Sequence, residues 1–151
     1  MTYTDLSQAL YQFWAQFEWD GMPIPAFLQG HVPDDDEIER MYGRAYPYIT
    51  YSVGMGDFNG TSVQTAHVWC RQQPGANVNA QRAAIVDQIG KAIPAHVGRV
   101  FALANGGGMW ITRNVDFATN YTPPRDSNNQ EDEVEGEPVI GGRISYLIKC
   151  Y

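Results

Sequence analysis

Few residues in this chain could do chemistry: His31, His67 and His96, Cys70 and Cys150, and the run Asp34-Asp35-Asp36. Zinc sites are commonly announced by HxxxH or CxxC spacing, and neither occurs. The aspartate run offers oxygens to a hard cation. It lacks the alternating oxygens and the sixth-position glycine of an EF-hand, so a solvated loop is the simpler reading. A thiol nucleophile needs a base within reach. His67 and Cys70 lie in a stretch that reads as one strand, which turns them to opposite faces. Gly106-Gly107-Gly108 suggests a phosphate cradle, yet no Lys-Ser/Thr pair follows and no helix opens after it, which leaves a hairpin turn. No GxSxG nucleophile elbow occurs. Catalytic carboxylates need a rigid, partly dry setting, and the acids here cluster in loops. The sequence predicts a non-enzymatic protein without catalytic residues, cofactor or metal.

The elements that would carry these residues follow from periodicity. Leu6, Leu10, Phe13, Trp14 and Phe17 recur at helical spacing. Thr2 or Thr4 suits the N-cap, and Gly21, Pro23 and Pro25 place the end of this helix near Trp19. Ile24 to Leu28 reads as a short extended piece. The acidic stretch Asp34 to Glu39 and then Met41 to Tyr46 read as loop. Tyr48 to Val53 is β-forming, and Thr61 to Arg71 alternates Val63, Thr65, His67 and Trp69 against Gln64, Ala66, Val68 and Cys70. A turn over Gly54 to Gly60 makes the two an antiparallel hairpin.

A second helix is predicted from Ala80 to Ile93. Asn79 is its N-cap, Ile85, Ile89 and Ile93 form its buried stripe, and Pro94 ends it. Val97 to Ala104 and Met109 to Val115 form a second hairpin, and Phe117 to Tyr121 a short edge segment. Gly141-Gly142 reads as a turn before a last strand, Arg143 to Tyr151. That strand puts Ile144, Tyr146, Ile148 and Cys150 on one face. A chain ending on a strand needs it in the core or at a subunit contact. The fold class is therefore α+β: a mostly antiparallel sheet with two helices packed on one face.

Composition sets the outer bounds. The 151 residues make one domain, 1–151, with a long acidic loop at about 122–140. Pro123 to Pro138 is polar and prolyl and is expected to be mobile. No basic-then-apolar leader and no apolar run of membrane length is present, so a soluble protein made in a cytoplasm is expected, with no membrane partner. The two cysteines form no framework, and each behaves as a small apolar residue. The net charge of −7 argues against binding nucleic acid through its phosphates. Ten of the seventeen acids fall in two groups, Asp34, Asp35, Asp36, Glu37 and Glu39, and Glu131, Asp132, Glu133, Glu135 and Glu137. Either group keeps the protein soluble, repels DNA, or meets a basic partner. Aromatic content of 13% suits either a large core or wide contact surfaces.

Several stretches together resemble the tail terminator proteins of long-tailed bacteriophages, also called minor capsid or tail completion proteins. They are Leu10-Tyr11-Gln12-Phe13-Trp14, Pro47-Tyr48-Ile49-Thr50-Tyr51, Thr65-Ala66-His67-Val68-Trp69, Ile85 to Pro94, Met109-Trp110-Ile111-Thr112-Arg113 and Gly141-Gly142-Arg143-Ile144-Ser145-Tyr146. The resemblance implies a small α/β domain that forms a homohexameric ring in the neck of the virion. The ring caps the tail tube and docks to the head connector, and DNA passes through its lumen without specific binding. Its partners are then further copies of itself, the tube protein and the connector or stopper protein. The family supplies no catalytic residue, and the acidic segment Asp126 to Glu137 departs from its pattern.

On this reading Tyr48, Tyr51, Trp69, Trp110, Tyr146 and Tyr151 are the candidate subunit or tube contacts. Tyr48 to Val53 or the final strand would pair across subunits. Asp34, Asp35, Asp36, Glu131, Asp132 and Glu133 are candidate lumen or loop acids, one loop facing the channel and the other a neighbour. Trp110→Ala is expected to cost about 3–5 kcal/mol if that ring is buried. A head–tail connector or stopper protein, and a small ligand- or peptide-binding α+β module, are the competing readings.

Overall fold

A computed structural model describes residues 3–54, 61–72, 77–103, 106–121 and 139–150. All but Gly54 of the turn expected over Gly54 to Gly60, the acidic stretch 122–138 and Tyr151 lie outside these residues. The fold is α+β. Its centre is a six-stranded sheet of β3 (Ala26–Leu28), β4 (Tyr48–Tyr51), β5 (Thr61–Arg71), β6 (Arg99–Ala102), β7 (Gly108–Tyr121) and β8 (Val139–Cys150). The spatial order is β3-β4-β5-β8-β7-β6. Every pairing is antiparallel except β3 with β4.

The last strand lies in the middle. β8 pairs with β5 over their lengths, from Thr61 opposite Lys149 to Arg71 opposite Val139. Its other side is held by β7. The final strand and Tyr48–Tyr51 are both interior, so neither offers a free edge to another subunit; β3 and β6 are the edges. β7 is one long strand rather than a hairpin arm plus a separate segment. Its register to β8 jumps between Arg113 and Ala118, so Asn114 to Phe117 bulge out opposite Ser145.

Helix α1 (Tyr3–Trp14) and helix α3 (Val78–Ala92) cover one face. All five apolar residues predicted for the first helix are buried. It stops five residues before Trp19, because Asp20-Gly21 forms the two-residue turn of a small hairpin, β1 (Glu18–Trp19) with β2 (Met22–Pro23). Both turn residues have positive φ, 54° and 75°, the requirement of a type I′ turn that Asp-Gly meets well. Arg44 fastens this hairpin by donating from Nη2 to the Trp19 carbonyl at 2.6 Å and the Met22 carbonyl at 3.2 Å. α3 begins earlier than predicted. Its cap is Asn77, whose Oδ1 accepts from the Ala80 N–H at 3.1 Å, while Asn79 accepts from Arg82.

Among the described residues there are three helices, not two. α2 (Asp35–Tyr42) occupies the stretch expected to be loop. Four acids, from Asp34 to Glu37, gather at its N-terminus, where negative charge suits the helix dipole. Ile38 is fully buried, and Gly43 closes the helix with its N–H on the Glu39 carbonyl at 2.8 Å. α2 also makes the crossover between the parallel strands β3 and β4. No described helix is long and apolar enough to cross a membrane.

The core lies between the sheet and α1 with α3. β5 contributes Ala66, Val68 and Cys70, and β8 contributes Ile144, Tyr146 and Ile148. Trp14 stacks at a tilt on Tyr146, centroids 5.4 Å apart, and donates its indole N–H to the Tyr146 hydroxyl at 3.3 Å. Gly141 and Gly142 are strand residues, not a turn, and each serves one face. A Cβ on Gly142 would lie 3.3 Å from Val86 of α3, so its absence admits the helix.

Candidate functional site

The alternate residues of the same strands form the second face, on which α2 is the only described helix. Its centre is an aromatic cluster. Trp69 stacks with His67 at 5.4 Å and 20°, and meets Tyr121 edge-on at 5.6 Å. Tyr121 also meets His67 at 4.8 Å. Tyr48 lies 6.5 Å from Trp69 and 5.2 Å from Tyr46. Phe27 joins Tyr48 to Tyr42 of α2, each at 6.0 Å.

Gly141 is what lets this cluster form. Both Trp69 of β5 and Tyr121 of β7 stand in register with it, on opposite sides of β8. A Cβ there would sit 3.4 Å from the Trp69 ring and 3.3 Å from the Tyr121 carbonyl. Without it, the two rings close over the gap. Beneath them Thr50 is buried and accepts the Trp69 indole N–H at 2.8 Å.

At one end the cluster becomes polar. Arg71 lies 4.8 Å over the Tyr46 ring and 3.4 Å from the Asp35 carboxylate of α2. The Tyr46 hydroxyl donates to the same carboxylate at 3.4 Å. Burial, helped by Tyr48 and Asp35, pushes the Tyr46 phenol well above its ordinary pKa, and burial raises that of Tyr48. Both stay neutral hydrogen-bonding rings. Burial, then the nearby Arg143, lowers the pKa of His67 and favours its neutral form. Farther along the face come Val63 and Leu147, then Lys149 with Trp110. The Trp110 indole N–H donates to the Val97 carbonyl at 2.9 Å.

Of the six aromatic residues expected at contacts, Tyr48, Trp69 and Trp110 lie half-buried on this second face. Tyr51 and Tyr146 do not: both are core residues buried against the helices, because their strand positions face α1 and α3. Tyr151, Glu131, Asp132 and Glu133 are outside the described residues. Asp34 and Asp36 are exposed, whereas Asp35 is turned inward to Arg71 and Tyr46. Sequence reading did not name Tyr46, Tyr121, Arg71 or Arg143 as site residues. The odd-numbered alternation of β5 extends to Arg71, and that was the available signal; Tyr121 carried none, since its place depends on the register of β7.

Comparison with protein-family models gives no match to this chain, and comparison with curated proteins gives none either.

This face offers the chemistry of contact. Cys70 and His67 do sit on opposite faces of β5, and burial pushes the Cys70 thiol up to about 12, so it stays protonated at neutral pH. Among the described residues no three His, Cys, Asp or Glu side chains come together at metal-binding range. The rings, two arginines and a lysine of the second face supply stacking, cation–π and charge contacts, and of these the aromatic residues and arginine are enriched where proteins meet.

Proposed function

We propose that this protein is a structural, non-enzymatic component of a long-tailed phage virion, a tail terminator. On this reading copies assemble as a ring, of six by the family resemblance, that caps the tail tube and joins it to the head connector. DNA passes through the lumen without specific binding, and assembly takes place in the bacterial cytoplasm. The observation that carries the reading is the composition of the second sheet face. Its strand residues in register from β4 to β7 include Tyr48, Trp69, Tyr121, Arg143 and Lys149 and no Asp or Glu. In a chain of net charge −7 such a face suits docking to protein, and the acids elsewhere suit a lumen that does not hold DNA. The sequence stretches that resemble tail terminators support the same assignment.

Tail length tests it. Phage carrying a stop codon at Trp14, with the intact protein supplied in a parallel control, are expected to give over-long or unjoined tails beside filled heads. Tails of normal length beside heads that leak DNA would move the protein to the head connector. Normal infectious particles would remove both roles and favour a ligand- or peptide-binding module.

A further inference from the structure

We infer that the acidic outer side of α2 docks on the β8 row of a second copy of this chain, between Arg143 and Lys149. The inference rests on the self-association contained in the reading above, and names the two surfaces that make it.

Both surfaces are complete in one chain. From residue 34 to 40 the chain carries five acids and one arginine. Asp35 is occupied within its own chain, while Asp34, Asp36, Glu37 and Glu39 are exposed. Glu37 reaches Arg40 at 3.8 Å with both side chains largely in solvent, a weak tie that leaves the helix strongly negative. Met41 is 56% exposed and stands one turn after Glu37 on the same flank. The helix outside therefore presents an acidic stripe edged by a methionine.

The receiving surface has the complementary order. Arg143 and Lys149 are exposed on the second sheet face, at the two ends of a row on β8. Between them lie Ser145 and the half-buried Leu147, and beside Leu147 on β5 stands Val63, 59% exposed. Six residues of strand span roughly 20 Å, and an eight-residue helix is about 12 Å long. The helix fits between the two cations, with Met41 over Val63 and Leu147. Within one chain α2 is anchored on the β3-β4 side of the sheet by Phe27 and Tyr46 and by Arg71 of β5, and among the described residues none of its acids pairs with Arg143 or Lys149. The complement of each surface is therefore offered by another copy, and a contact between two different patches can propagate into a ring.

A charge exchange tests this. One variant carries Arg143→Glu and Lys149→Glu; the other carries Asp36→Lys, Glu37→Lys and Glu39→Lys. All five side chains are exposed, and thermal melts check that both variants fold. Sedimentation velocity over a concentration series reads association. Wild type is expected to self-associate, less so in high salt. Each variant alone places like charges opposite one another and is expected to associate at least about tenfold more weakly. An equimolar mixture restores opposite charges at every contact and is expected to regain association in alternating order. Wild type that stays monomeric, single variants that associate like wild type, or a mixture that fails to recover would each overturn the contact. Tail length separates the two claims. A recovered mixture with normal tails in the stop-codon phage sinks the terminator role and leaves the contact standing; over-long tails rescued fully by the Arg143→Glu, Lys149→Glu variant do the reverse.

Discussion

The two faces of the central sheet share every strand and differ in almost every other respect. Toward α1 and α3 the strands point mainly apolar residues with Tyr51 and Tyr146, and most of these side chains are buried. Away from them the same strands point rings that are half-buried and pack mainly on one another, with Arg143 and Lys149 exposed. The paired glycines make the contrast local: Gly142 gives up its side chain to a helix, Gly141 to a pair of rings. Burial against a helix layer is where the stability resides, since apolar area removed from water is its main source. A face whose rings keep part of their surface in solvent contributes less to folding and has that surface available for contact.

The comparison can be broken at its strongest point first. Trp14→Ala removes the largest fully buried side chain and leaves the Tyr146 hydroxyl without its donor. It is expected to destabilise the fold by about 3–5 kcal/mol in chemical denaturation. Arg113 works on the same face. Its guanidinium donates to the Ile93 carbonyl at 2.6 Å and the Gly90 carbonyl at 2.7 Å, and lies 4.4 Å over Phe117. Arg113→Met should cost about 1.5–3 kcal/mol, because charged hydrogen bonds to the end of α3 are lost.

On the other face Trp69→Ala should cost only about 1–2 kcal/mol. A loss equal to that of Trp14→Ala would mean the second face is as much a core as the first. A smaller, pH-dependent effect is expected at His67. Its folded pKa is lower than the roughly 6.5 of an unfolded histidine. Between the two values the unfolded chain binds more protons. Stability is thus full above about 6.5 and falls as pH drops from there toward the folded value. Melting temperatures from pH 7 to 5 should decline, and His67→Phe should flatten that decline while keeping the ring stack. Val115, 95% exposed at the tip of the β7 bulge, marks the lower limit. Val115→Ser is expected to change stability by less than about 0.5 kcal/mol.

For the longer strands of the sheet, existence and apolar face were written in period-two alternation, whereas the β1-β2 hairpin was not foreseen. Thr61–Arg71 was read to the residue, and Ile144, Tyr146, Ile148 and Cys150 lie on the buried face as expected. Such patterns are local, and a strand that must bury one side has little freedom to shift register. The stripes of α1 and α3 were legible for the same reason. The acid run hid α2, because Asp and Glu read as loop until their place at a helix N-terminus is considered, and Ile38 with Tyr42 leaves only a short apolar side. Tertiary structure alone decided what lies next to what. The central position of β8, the passage of Gly141 and Gly142 through it, and the meeting of Trp69 with Tyr121 all depend on pairings between strands distant in the chain. Local preference fixes the shape of a segment; the choice of neighbour is made by packing, where the free energy of burial is shared among residues that no short window of sequence contains.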